Sequence, residues 1–262
     1  MKNVLEFQKM KEQGRKISMV TCYDFTSARI VAESNVDCVL VGDSLAMTMH
    51  GSDTTLEATP ELIALHVKSV RRGMPNKFIV ADMPFLAHRG SLDRTMEAVR
   101  TIMAAGAQAV KIEGVDGSED TIRHIVQSGV PVMGHLGLTP QSVHQFGGFK
   151  VQATDPQAAE MLMNQARRVQ ECGAFALVLE CVPTHVAAMV TQNLAIPTIG
   201  IGAGSGCSGQ VLVFQDLLGL NTQFQPRFVR RYLNGFELVK DALNRFDNEV
   251  KSGEFPSEKE SY

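Results

Sequence analysis

Short apolar runs that end in an ionisable residue recur along this chain, and that recurrence restricts its fold more than any other feature. Val39-Leu40-Val41-Gly42-Asp43, Phe78-Ile79-Val80-Ala81-Asp82 and Ala176-Leu177-Val178-Leu179-Glu180 each close on a carboxylate, and Pro131-Val132-Met133-Gly134-His135 closes on histidine. Gln108-Ala109-Val110-Lys111-Ile112-Glu113-Gly114 places two charges inside a run otherwise suited to a buried parallel strand. Successive strand side chains point to opposite faces. Lys111 and Glu113 therefore share one face, and Val110 and Ile112 the other. The apolar pair can bury against a helix. The charged pair must look toward something that wants charge.

Helical patterns separate these runs. A polar helix is predicted over Leu5–Gln13, then a first strand at Ile17–Cys22 and a helix over Thr26–Ser34. The long Gly/Thr-rich segment Ser44–Thr59 reads as an active-site loop. Thr59-Pro60 supplies an N-cap and a first-turn proline for a helix ending at Gly73. Further helices are expected over 91–105, 118–128, 156–172 and 183–193, the third with Met161, Leu162, Ala166 and Val169 at helical spacing. Pro197–Gly202 and Gln210–Phe214 complete eight strands. A long amphipathic C-terminal helix is striped by Phe228, Tyr232, Phe236, Val239, Leu243, Phe246 and Val250, with Gly235 as a candidate break. Eight strand–helix pairs in about 250 residues point to an α/β fold, a (β/α)8 TIM barrel, with an extra N-terminal helix and a long C-terminal helical segment. No composition break divides the chain, so residues 1–262 are expected to form a single barrel domain.

Bulk properties exclude several classes. The formal charge of −3 gives no reason to expect nucleic acid or an anionic membrane as partner. No apolar run approaches the length of a membrane span. Met1–Lys16 is charged and lacks the apolar core of an export signal, which predicts a cytoplasmic protein. The five cysteines show no metal-ligand spacing and are expected to be reduced thiols. Gly204-Ser205-Gly206-Cys207-Ser208-Gly209 fits a dinucleotide-loop pattern but has no acid about 20 residues on. Close backbone approach is the better use of those glycines.

Convergence of Asp43, Asp82, Glu113 and Glu180 on one barrel rim poses a charge problem. Two carboxylates about 4 Å apart repel by roughly 4 kcal/mol at an effective dielectric near 20, and Lys111 cannot offset several such terms. Some acids are then protonated, or diverge into solvent, or surround a cation. All-oxygen ligands favour magnesium, manganese or calcium over zinc. The bland alternatives are helix caps for the acids and a structural Lys111–Glu113 ion pair.

These segments resemble the ketopantoate hydroxymethyltransferase family. The resemblance is carried by Val41-Gly42-Asp43-Ser44-Leu45, Ala81-Asp82-Met83-Pro84-Phe85, Val110-Lys111-Ile112-Glu113-Gly114, Gly134-His135-Leu136-Gly137-Leu138-Thr139-Pro140-Gln141-Ser142 and Leu179-Glu180-Cys181-Val182-Pro183. Phe146-Gly147-Gly148-Phe149-Lys150 and Gly200-Ile201-Gly202-Ala203-Gly204 extend it, from about Lys16 to Phe255. Two positions depart from the family pattern: Ala46 stands where glycine is usual and Ser208 where aspartate is usual.

The resemblance implies a Mg2+ site at Asp43, Asp82 and Glu113, and a keto-acid site at Asp43, Ser44, Asp82 and Lys111. Glu180 matches the family's proposed general base, and His135 a histidine of the active-site rim. The implied reaction is transfer of a hydroxymethyl group from 5,10-methylenetetrahydrofolate to 3-methyl-2-oxobutanoate through an enolate, giving 2-dehydropantoate in pantothenate biosynthesis. Lys111 would share in stabilising that enolate, and His135 would bond the new hydroxyl or its water. The resemblance also implies a homo-oligomer, a homodecamer of two pentameric rings. Two rivals stand beside it: a Mg-dependent keto-acid lyase or decarboxylase of the phosphoenolpyruvate/isocitrate lyase type, and a non-catalytic barrel that binds a keto acid.

Overall fold

The computed structural model describes residues 1–148, 150–222 and 225–262. Eight strands close into a parallel barrel in chain order: β1 (Ile17–Thr21), β2 (Cys38–Val41), β3 (Phe78–Asp82), β4 (Ala109–Glu113), β5 (Val132–Gly137), β6 (Ala176–Glu180), β7 (Thr198–Ile201) and β8 (Gly209–Leu212). Closure is made by β8 on β1, with Ile17 opposite Gly209 and Met19 opposite Val211. The predicted (β/α)8 barrel is the fold observed. The chain divides into two compact units, Met1–Leu212 and Val213–Tyr262. All eight strands belong to the first.

The two-residue period of each strand sorts its side chains. Met19, Leu40, Phe78, Val80, Ala109, Met133, Ala176, Val178, Ile199 and Val211 form one buried cluster inside the barrel. The predicted N-terminal helix, Val4–Glu12, belongs to that cluster through Phe7 and Met10. Phe7 packs edge-on against Phe78 and Phe175, with ring centroids 5.4 and 5.0 Å apart. This helix therefore stoppers the N-terminal mouth with hydrocarbon. Lys11 on the same helix donates to the carbonyls of Thr191, Leu194 and Ile196, at 2.9, 2.7 and 2.8 Å, around the end of helix Thr184–Asn193.

Helix signals act where expected. The Thr59 side chain accepts from Leu62 N–H at the start of Pro60–Gly73, and Asp155 accepts from Ala158 N–H ahead of Pro156–Glu171. Leu162, Ala166 and Val169 of the latter helix are buried, while Met161 is exposed. All five cysteines are free thiols, as expected.

Several boundaries differ from the sequence reading. The stretch read as the loop Ser44–Thr59 contains a helix, Leu45–His50, stopped by left-handed Gly51, and a 3-10 turn, Thr55–Glu57. β2 stops at Val41, so Asp43 stands on the turn beyond it. β5 continues past His135 to Gly137. A Cβ at Gly137 would lie 2.3 Å from the Glu180 carbonyl oxygen, and its φ of +91° also favours glycine. β8 ends at Leu212, and Phe214–Leu217 is a short helix. In the second unit the long helix starts at Gly235 and runs to Ser252, leaving Phe228 and Tyr232 before it. A side chain at Gly235 would press on the Leu218 carbonyl at 2.5 Å. The quoted motif residue Phe149 lies outside the described residues.

Candidate active site

Barrel register brings the loaded strand ends together. Asp82 on β3 pairs with Lys111 on β4, and Glu113 on β4 pairs with His135 on β5. Lys111 and Glu113 continue the inward row begun by Ala109, so the charged face of β4 looks into the C-terminal end of the barrel. Asp43, Asp82, Lys111, Glu113 and His135 are all buried there. Glu180 ends β6 beside them and keeps 17% of its side chain exposed.

Lys111 Nζ is the hub. It lies 2.9 Å from Asp82 Oδ1, 3.7 Å from Glu113 Oε1 and 3.1 Å from His135 Nδ1. His135 stands between two acids, with Nδ1 3.2 Å from Glu113 Oε1 and Nε2 3.2 Å from Glu180 Oε2. Asp82 Oδ2 accepts from the backbone N–H of Asp43 at 2.8 Å. Gly42 makes room for this, since a Cβ there would stand 3.3 Å from Asp82 Oδ2. Ser44 Oγ is 2.7 Å from the hydroxyl of buried Tyr23, which follows β1.

Gln141 is the residue that sequence reasoning missed. Its carboxamide nitrogen donates to Asp43 Oδ2 at 2.8 Å and to the Met83 carbonyl at 3.0 Å. Its backbone N–H donates to Glu113 Oε2 at 3.0 Å. The residue lay inside a recognised motif, Gly134–Ser142, but a glutamine in a turn carries no charge to draw attention. Ala46, one of the two departures, is buried in helix Leu45–His50 and its carbonyl accepts from Ser52 N–H at 3.0 Å. Ser208, the other, is also buried, and its carbonyl accepts from Ile17 N–H at 3.0 Å.

Protonation follows from this crowding. Burial, reinforced by Asp82 and Glu113, pushes the Asp43 carboxyl well above the usual range. Burial also raises Asp82, against the pull of Lys111. Burial works to raise Glu113, yet His135 and Lys111 outweigh it and hold that acid below its ordinary value. For Lys111 burial is overcome by Asp82, Glu113 and Asp43, which keep the ammonium charged. Burial and Lys111 oppose charge on His135, but Glu113 and Glu180 prevail and hold its pKa up to about 9. Lys111 could donate to Nδ1 of a neutral ring, whereas a carboxylate beside each ring nitrogen favours the imidazolium. We therefore assign the charged form.

Three ionised carboxylates against one ammonium and one imidazolium would leave a net negative charge, and the raised Asp43 and Asp82 show how this crowding without a further cation favours a proton on the acids. Asp82 Oδ1 and Glu113 Oε1 are buried without a well-formed hydrogen bond and are held by charge alone. Among the described residues no three His, Cys, Asp or Glu side chains are already spaced as a metal site. Gln141 and Lys111 instead hold the oxygens of Asp43, Glu113 and Asp82. The donor chemistry nevertheless fits a hard divalent cation, which needs few protein oxygens and keeps places for water or substrate.

A cavity of about 590 Å³ opens beside Glu113, walled by Phe85, Leu86, His88, Gln145, Phe146 and Gln165 among others. Three non-glycine residues adopt left-handed backbone at this rim: Leu86 and Ala153, which both line the cavity, and Cys181, which follows Glu180. Such conformations strain a side-chain-bearing residue and concentrate at functional sites. Gln152 N–H bonds the Cys181 carbonyl at 2.8 Å, linking the cavity wall to the end of β6. His88 is buried and accepts from Arg89 Nε at 3.1 Å; burial, with Arg89 nearby, lowers its pKa to about 4.

The barrel fold is similar to that of phosphonopyruvate hydrolase, solved in complex with oxalate and Mg++. That likeness has a TM-score of 0.64 at 10% identity and covers 99% of this chain and 93% of that one. The 2,3-dimethylmalate lyase, a PEP mutase/isocitrate lyase superfamily member, superposes with a TM-score of 0.62 at 16% identity, covering 100% and 92%. These likenesses establish the class of (β/α)8 barrel. Sequence establishes the family: the profile for Ketopantoate hydroxymethyltransferase matches residues 1–258. The 3-methyl-2-oxobutanoate hydroxymethyltransferase of Coxiella burnetii (strain CbuG_Q212) is 58% identical over 255 residues, 97% of this chain and 96% of the relative. Its counterpart in Bdellovibrio bacteriovorus is 55% identical over 262 residues, the full length of both. The chain belongs to the ketopantoate hydroxymethyltransferase family. The lyase alternative is matched in fold alone.

Proposed function

We propose that this site transfers a hydroxymethyl group from 5,10-methylenetetrahydrofolate to 3-methyl-2-oxobutanoate, giving 2-dehydropantoate. The observation that carries the proposal is the buried cluster of Lys111 with Asp82, Glu113 and His135, placed next to the more accessible Glu180. Asp43, Asp82 and Glu113 would hold Mg2+, in keeping with their oxygen donors and uncompensated charge. That cation would polarise the keto group and acidify the adjacent carbon.

The chain's own groups supply the rest. Asp43, Ser44, Asp82 and Lys111 bind the keto acid, with Tyr23 fixing the Ser44 hydroxyl. Glu180 removes the proton from C3 of the keto acid, and its carboxylate is steadied by His135 Nε2. Negative charge that moves onto the keto oxygen is met by the Lys111 ammonium, whose charge is secured by its acidic neighbours. At the carrier, one carbon–nitrogen bond of the methylene bridge opens, water adds to that carbon, and the second carbon–nitrogen bond breaks as the water's protons pass to the two amines, leaving a one-carbon aldehyde. The nucleophilic carbon adds to this aldehyde, and the alkoxide formed takes back the proton that Glu180 removed. His135 faces that end of the site and can bond the new hydroxyl or the water. The cavity beside Glu113 is far larger than a five-carbon acid needs and suits the folate.

No helix among the described residues is long and apolar enough to cross a membrane. A cytoplasmic enzyme of pantothenate biosynthesis accords with this. A homo-oligomer, specifically the homodecamer implied by family resemblance, is supported by the exposed Leu238, Val239, Leu243, Phe246 and Val250 on helix Gly235–Ser252. Light scattering should then give a mass near ten chains.

The deciding assay incubates 3-methyl-2-oxobutanoate with methylenetetrahydrofolate, with Mg2+ and with a chelator, alongside deuterium exchange at C3 in heavy water. Product formation that requires both folate and Mg2+ is expected. Carbon–carbon cleavage of a keto acid without folate would move the protein to the lyase reading.

A further inference from the structure

We infer that Gln141 is a positioning residue that sets the orientation of Asp43 and Glu113. The inference rests on the proposed function, which gives those two carboxylates to the divalent cation. Gln141 sits in the 3-10 turn Pro140–Ser142 after β5 and is itself buried. Both hydrogens of its carboxamide nitrogen are used, one on Asp43 Oδ2 and one on the Met83 carbonyl. Its backbone N–H takes Glu113 Oε2. One residue thus reaches the turn after β2, the main chain after β3 and the end of β4.

This matters because Asp43 is not part of a strand. The ladder of β2 ends at Val41, paired with Ala81, so register does not aim the Asp43 carboxylate. Its main chain is anchored by donation to Asp82 Oδ2. Its side chain is aimed from across the rim, by a residue 98 positions later in the chain. Gln141 ties back one oxygen of each carboxylate, Asp43 Oδ2 and Glu113 Oε2, while the other Glu113 oxygen faces His135 Nδ1 and Lys111 Nζ.

The chemical nature of the donor is also apt. A carboxamide directs a carboxylate without neutralising it, so the negative charge stays available to a cation. Lysine or arginine in the same place would compete with that cation. Outer partners of this kind govern metal affinity by aiming the ligands, and losing one typically costs 10- to 100-fold.

The test compares the parent with Gln141→Met and Asp82→Asn. Methionine matches the shape of glutamine, removes both side-chain donations and keeps the backbone bond to Glu113. Mg2+ alone is titrated by calorimetry, keto-acid KM and kcat are measured at saturating Mg2+, and Tm is recorded. We expect Gln141→Met to bind Mg2+ about 10- to 100-fold more weakly, with raised KM, kcat kept within a few-fold and Tm within a few degrees of the parent. Mg2+ affinity within twofold of the parent would overturn the inference. So would an affinity loss that only tracks a fall in Tm and in folded fraction. If Asp82→Asn weakens Mg2+ binding while Gln141→Met does not, the inference alone fails. If Asp82→Asn binds as tightly as the parent, the metal reading fails and takes this inference with it.

Discussion

The two mouths of the barrel are closed by opposite means. At the N-terminal mouth, Phe7 and Met10 enter a cluster with Phe78, Ala109, Met133 and Ala176, all apolar and all near the starts of their strands. Toward the C-terminal mouth the same strands carry Asp82, Lys111 with Glu113, His135 and Glu180, tied by ion pairs and by Gln141. The inward row changes from hydrocarbon to charge within four residues of strand: Phe78 and Val80 lead to Asp82, Ala176 and Val178 to Glu180. Burial of the lower layer stabilises the fold. The upper layer is a buried polar network that stabilises it little and holds reactive groups in place. Stability and chemistry are thus stacked along the same strands, which lets either be altered while the other is kept.

The largest separation should come from Glu180→Gln. Loss of a general base predicts a fall in kcat of about 10²- to 10⁴-fold, with Tm and Mg2+ affinity near the parent values. Unchanged turnover would remove Glu180 from the reaction. The reverse experiment is Phe7→Ala, which leaves a hole beneath Phe78 and Phe175. It should cost about 3–5 kcal/mol of stability in urea unfolding, while kcat per folded molecule stays the same. A proportionate loss of kcat would show that the layers are not independent.

His135 makes the upper layer sensitive to pH. Its pKa, held up to about 9 in the folded chain against an ordinary 6.5, means that the folded state binds the proton more tightly than the unfolded state. The stabilisation is therefore complete below pH 6.5 and is lost as pH rises through 9. In chelator-treated protein, His135→Gln should flatten the decline in Tm across that window. A parallel decline in both proteins would contradict the imidazolium assignment. The smallest effect is expected at Lys11→Met. That change frees three carbonyls around the end of helix Thr184–Asn193 and should lower stability by about 1 kcal/mol without touching turnover.

Much of this was legible in the chain because strand geometry is local. Alternation alone put Lys111 and Glu113 on one face, and the Thr59-Pro60 and Asp155-Pro156 signals located two helix starts that the structure retains. The glycines around Gly204 read as points of close approach, and a Cβ at Gly204 would indeed lie 2.4 Å from Thr184. Helix Leu45–His50 was hidden because its Gly- and Thr-rich flanks resemble a loop. The stripe beginning at Phe228 suggested a longer C-terminal helix with a candidate break at Gly235, and the helix starts at that glycine.

Sequence by itself determined the barrel, the row of ionisable strand ends and the family, since each depends on residue type and spacing along one chain. Tertiary structure decided which of those ends touch. Cross-strand register placed Asp82 against Lys111 and Glu113 against His135, and the pairing of β5 with β6 set Glu180 on the far side of the same imidazole. Gln141 acquired its place in the site only when a turn after β5 folded over the acids following β2 and ending β4. An uncharged side chain announces no such contact from its own position; its significance comes from what the fold brings within hydrogen-bonding distance.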